Sequence, residues 1–107
     1  MRFDRFTIKS QETIQKAKSL AEQYGNQQIE PEHLLLAMLS DREGTAVAML
    51  RKLGVAPESS AAEALRAVER LPKVSGGGAA EAYISPRSKT VLDAAFAEAG
   101  AMKDEYV

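Results

Sequence analysis

The sequence contains no cysteine. Neither a disulfide framework nor a thiolate metal site can be built from it, and nothing in it requires an oxidising compartment. His33 is its single histidine, which excludes HExxH and other paired-histidine metal motifs. There is no GxxxxGK[ST] run to cradle nucleotide phosphates and no glycine-rich elbow around a serine. Charge of one sign is missing too: the net charge is -1, with Lys and Arg scattered among Asp and Glu, so no basic stripe exists for a nucleic-acid duplex. No apolar run reaches the length of a membrane span, and Asp4 interrupts the only segment placed to act as a signal peptide. The expectation is a cytoplasmic protein that engages neither nucleic acid nor membrane. β-Branched alternation is absent as well, which points to an all-α fold.

What is present centres on Ile29-Glu30-Pro31-Glu32-His33-Leu34-Leu35-Leu36-Ala37-Met38-Leu39. A proline-marked start followed by apolar residues at nearly every position predicts a short helix, from Pro31 to Ser40, enclosed on most sides by the rest of the domain. With 107 residues, 45% of them hydrophobic, one small core and one domain are expected.

The other segments read as covers for that helix. Ile14, Ala17, Leu20 or Ala21, and Tyr24 recur at helical spacing, with Thr7 as N-cap and Gly25 as the left-handed stop. Asp41-Arg42-Glu43-Gly44 forms a polar turn, after which Thr45 caps a third helix with Val47, Met49, Leu50 and Leu53 facing inward and Gly54 ending it. Pro57 opens a fourth helix with Leu65, Val68 and Leu71 as its buried stripe. Residues 73–84, with Gly76, Gly77 and Gly78, read as a linker. Ser85-Pro86 then caps and starts a further amphipathic helix carrying Val91, Leu92, Ala95, Phe96, Ala99 and Met102.

Sliding the segment that starts at Thr7 onto the one that starts at Ser85 aligns Ser10 with Ser88, Ala17 with Ala95, Ala21 with Ala99, and Ile29 with Val107. Self-similarity in a fixed register indicates one supersecondary unit used twice. The expected organisation is a first four-helix unit over 1–72, the linker over 73–84, and the first helix of a second unit over 85–107.

An enzyme reading would make His33, flanked by Glu30 and Glu32, a general base oriented by a carboxylate. A structural role near the start of its helix is the favoured reading, because no partner motif accompanies it. Glu30 and Glu32 suit the positive end of that helix. An apolar stripe over Val91 to Met102 has no partner of its own in the second unit, and apolar surface rimmed by charge is what a sequence-tolerant binder of unfolded chains needs. A purely structural oligomerisation element would use the same stripe.

Arg2-Phe3-Asp4-Arg5-Phe6-Thr7, the Ile29 to Ala37 run, Leu71-Pro72-Lys73-Val74-Ser75-Gly76 and Lys103-Asp104-Glu105-Tyr106-Val107 together resemble the N-terminal domain of the ClpB family of AAA+ disaggregases. The resemblance spans the chain and implies an all-α Clp N-terminal repeat domain, with one complete four-helix repeat and the first helix of a second, pseudo-twofold-related repeat. It implies a non-catalytic module of a hexameric chaperone that acts on unfolded or aggregated polypeptide, with ATP and Mg held by ATPase modules absent from these residues and no cofactor here. Carried over by the resemblance, Thr7, Leu92, Asp104, Tyr106 and Val107 would line a substrate groove between repeats. An adaptor-docking domain of a ClpA- or ClpC-like unfoldase is the alternative. Ser88 stands where that family more often has an apolar residue, and Gly100 sits in a helix that is usually alanine-rich. A glycine there costs about 1 kcal/mol relative to Ala.

Overall fold

The computed structural model describes residues 8–73 and 82–101. Within them the chain runs α1 (Ile8–Gln23), β1 (Gln28–Ile29), α2 (Pro31–Ser40), α3 (Thr45–Lys52), α4 (Pro57–Glu69), β2 (Tyr83–Ile84) and α5 (Pro86–Ala101). The helices follow the sequence reading closely, and α2 has the expected bounds with Pro31 in its first turn. The backbone of α5 continues through Gly100 to Ala101.

α1 is held by Ile14, Ala17 and Ala21, which fall on one side of a 3.6-residue helix and are all buried. Its end is fixed by Gly25 at φ 74, where the amides of Gly25 and Asn26 bond back to the carbonyls of Glu22 and Ala21. That is the paired closure of a Schellman motif, which takes a left-handed residue and therefore favours glycine. Gly54, at φ 77, closes α3 in the same way, with Gly54 and Val55 bonding back to Arg51 and Leu50.

α2 lies between α1 and α4, its two broadest contacts, while α3 touches the rest more lightly. The main core joins Ile14, Ala17 and Ala21 of α1 to Ile29, Leu34, Ala37, Ala82 and Leu92, with Leu20 and Ile84 packed against it. Leu39, Val47, Ala64 and Val68 are buried elsewhere in the fold.

Four expectations change. α2 is not enclosed all round, since Leu35 and Met38 are each 45% exposed. A helix gripped on two sides still turns a third face to water. Thr45 is the first helical residue of α3, and Gly44 occupies the cap position. Of the residues expected to face inward on α3, Val47 is buried, but Met49 is 58% and Leu53 74% exposed, because only one edge of this short helix meets the body. On α4 the buried positions are Pro57, Ala64 and Val68, with Leu65 and Leu71 only partly covered.

A further difference is a pair of very short strands. Gln28 and Ile29 pair in parallel with Tyr83 and Ile84. Two residues cannot carry an alternating pattern, so periodicity had no means of revealing them. Lys73 and Ala82 to Ile84, read as parts of a linker, are engaged: Lys73 Nζ donates to the Tyr24 carbonyl at 2.9 Å, and the Ala82 amide donates to Glu22 Oε2 at 3.0 Å. Residues 74–81, with the three glycines, lie outside the described residues.

Candidate functional site

Among the described residues, long-range hydrogen bonds gather at the junction where α2 and α5 begin. Each helix is preceded by a two-residue strand, a cap residue and a first-turn proline: Gln28-Ile29-Glu30-Pro31 and Tyr83-Ile84-Ser85-Pro86. Proline suits both starts, since its missing N–H would have had no intrahelical partner. Ser85 caps α5 by accepting from the Ser88 amide at 3.0 Å.

The third residue of each helix folds back onto one peptide group, Ile29–Glu30. On the amide side, the Glu30 N–H donates to His33 Nδ1 at 2.9 Å. On the carbonyl side, Ile29 O accepts from Ser88 Oγ at 2.6 Å and from the Ser85 amide at 3.2 Å. His33, Ser85 and Ser88 are all essentially inaccessible to solvent.

Because Nδ1 of His33 is an acceptor, the ring proton sits on Nε2, which donates to Asn26 Oδ1 at 2.9 Å. The Asn26 amide in turn donates to the Pro72 carbonyl at 3.0 Å. A neutral imidazole thus ties together the end of α1, the start of α2 and the segment after α4. Burial lowers the His33 pKa below its ordinary value, and the carboxylates of Glu32 and Glu30 act in the opposite direction. With both ring nitrogens engaged and no surface exposed, His33 has no free atom for a substrate, and the structural reading holds.

Charge closes the same junction from outside. Arg87 reaches Glu32 Oε2 at 3.2 Å and Glu30 Oε1 at 3.6 Å. Glu30 Oε1 and Glu32 Oε1 are buried without a hydrogen-bond partner, so Arg87 and the positive start of α2 supply their compensation. Among the described residues, no group of His, Asp or Glu is arranged to hold a metal ion.

The remaining feature is apolar surface. Met49, Leu53 and Val55 are exposed around the end of α3, Leu35 and Met38 along α2, and Val91 on α5. An open hollow of about 560 Å³ is lined by Ile8, Gln11, Glu12, Ile14 and Gln15 on the first turns of α1. Ile8 itself is 76% exposed.

Of the residues that the resemblance assigned to a groove, Leu92 is 8% exposed and sits in the core against α1 and α2. Thr7, Asp104, Tyr106 and Val107 lie outside the described residues. Asn26, Arg87 and the pairing role of Ser88 were not anticipated. The repeated isoleucine, cap and proline before α2 and α5, Ile29-Glu30-Pro31 and Ile84-Ser85-Pro86, was the signal that could have brought them together.

Residues 5–107 match the family described as "Clp repeat (R) N-terminal domain". The chain is 41% identical over 107 residues to "Chaperone protein ClpB" of Porphyromonas gingivalis, covering 100% of this chain and 12% of that protein. It is 40% identical over 107 residues to the protein of the same name from Bacteroides thetaiotaomicron, with the same coverage. With that of Corynebacterium diphtheriae it shares 41% over 101 residues, covering 94% of this chain and 12% of the relative. The chain therefore spans about 12% of the length of the curated relatives it matches. No helix among the described residues is long and apolar enough to cross a membrane.

Proposed function

The chain belongs to the Clp repeat N-terminal domain family, and from that premise we propose that it is the substrate-engaging module of a ClpB-type disaggregase. In this reading it catalyses nothing itself and binds unfolded or aggregated polypeptide for a larger, hexameric motor. ATP and Mg belong to that motor's ATPase modules. The organisation that goes with it is a first repeat over 1–72, a linker over 73–84 and the opening helix of a second repeat over 85–107.

The observation that carries the reading is the match of the whole chain to relatives named as chaperones. The apolar area left outside the core supports it. Met49, Leu53 and Val55 are neighbours of Arg51 and Lys52 in the sequence, and Ile8 lines the α1 hollow. Scattered apolar side chains with charged neighbours give weak, sequence-tolerant adhesion, which is what a binder of varied unfolded chains requires. Leu92 contributes by holding α5 in place.

The test is a titration with a reduced, carboxymethylated protein that cannot fold, followed by amide shifts. Ile8, Gln11 and Gln15 are expected to move, together with the end of α3. No movement at millimolar ligand would overturn the reading. Recovery of one stoichiometric folded partner in its place would favour adaptor docking.

A further inference from the structure

The Ile29–Glu30 peptide is held from both sides, and the two sides answer to different things. Its N–H is bound by the imidazole of His33; its C=O is bound by the first turn of α5 through Ser85 and Ser88. A second proton on the imidazole would go to Nδ1, where it would confront the Glu30 N–H donor to donor. Turning the peptide over would relieve this by offering Ile29 C=O to the imidazolium. The same turn would present an N–H to the Ser85 amide and remove the acceptor that both α5 donors use.

We infer that protonation of His33 and seating of α5 exclude one another, so that the junction is an acid-operated latch for α5. The charges facing the ring agree in direction. Glu30 and Glu32, at the start of its own helix, favour the imidazolium, and Arg87 from α5 occupies those carboxylates only while α5 is seated. The turn after α1 contributes Asn26 and the segment after α4 contributes the Pro72 carbonyl, both uncharged. This latch is independent of whether the surface binds unfolded polypeptide.

Linkage is reciprocal: what loosens α5 must make His33 easier to protonate. The sequence has one histidine, so its ring resonances are unambiguous in the intact chain. As pH is lowered from 7.5 until the ring is protonated, the His33 ring protons and the amides of Ser85, Ser88 and Lys89 are expected to titrate with a single shared midpoint. Ser88→Ala removes one bond to Ile29 without altering charge and should raise that midpoint by about half a unit or more. His33→Gln should abolish the amide titration of α5. A ring that titrates while the α5 amides stay fixed overturns the latch. So does a midpoint unmoved in Ser88→Ala, or an α5 titration that survives His33→Gln.

Discussion

The hydroxyl of Ser88 donates to the carbonyl of Ile29 at 2.6 Å across fifty-nine positions of sequence, with both residues buried. This contact seats α5 on β1 by a directed bond, whereas Leu92, one turn on, seats it by area. Ser88→Ala leaves Ile29 O one acceptor contact, to the Ser85 amide, so the loss should be that of a buried hydrogen bond, about 1–2 kcal/mol. Urea unfolding with an unchanged slope and a lower midpoint is the expected result.

Leu92→Ala separates two readings of one residue. A side chain lining an open groove could be trimmed at little cost to stability, whereas a core leucine leaves a void. At 8% exposure, in one core cluster with Ile14, Ala17 and Leu34, the expected loss is about 2–5 kcal/mol. Thermal denaturation distinguishes the two outcomes easily.

Acid should weaken the fold through His33. Burial depresses its folded-state pKa, so the unfolded chain binds the proton more readily. Its contribution is fully present above the unfolded value of about 6.5, and it is lost as pH falls from there toward the folded-state pKa. Melting temperatures measured from pH 8 to 5 should drop on the acid side. His33→Gln should be less stable at pH 8 but flatter between 7 and 5.

Much of this fold was legible because helices announce themselves over long stretches. Ile14, Ala17 and Ala21 keep helical spacing, Pro31 and Pro86 mark starts, and Gly25 and Gly54 mark ends, each through a local physical cause. What escaped was tertiary. Nothing local distinguishes Met49, Leu53 or Val91 from buried residues, since their exposure depends on which neighbours arrive. The two-residue strands are too short for any period, and the bond from Ser88 to Ile29 joins segments far apart in the chain. The proposed groove was readable only by resemblance, and of its residues Leu92 alone falls among those described, in the core.

Arg87 bridges two acids from an exposed position, with its side chain 60% exposed. Screening by solvent keeps such a pair to about 1 kcal/mol or less. Arg87→Gln is nevertheless expected to cost more than an isolated surface pair, because Glu30 Oε1 and Glu32 Oε1 have no hydrogen-bond donor to fall back on. The signature is salt dependence: the gap in stability between parent and variant should narrow as ionic strength rises.

The apolar residues at the end of α3 can be altered without disturbing what holds the fold. Met49 and Leu53 are 58% and 74% exposed, and α3 meets the body through Val47, so Met49→Ser with Leu53→Ser should leave stability within about 0.5 kcal/mol. If α3 engages unfolded chains, the same double variant should lose affinity for a carboxymethylated, unfoldable protein by several-fold while its melting temperature stays put. A variant that binds as well as the parent would remove α3 from the contact surface and leave the hollow along α1 to carry it. Uniform loss of both binding and stability would show instead that α3 matters to the fold in a way its exposure does not suggest. Calorimetric titration beside a melting curve reads both quantities on the same sample, which is why this pair is the sharpest probe of whether exposed area here is functional or incidental.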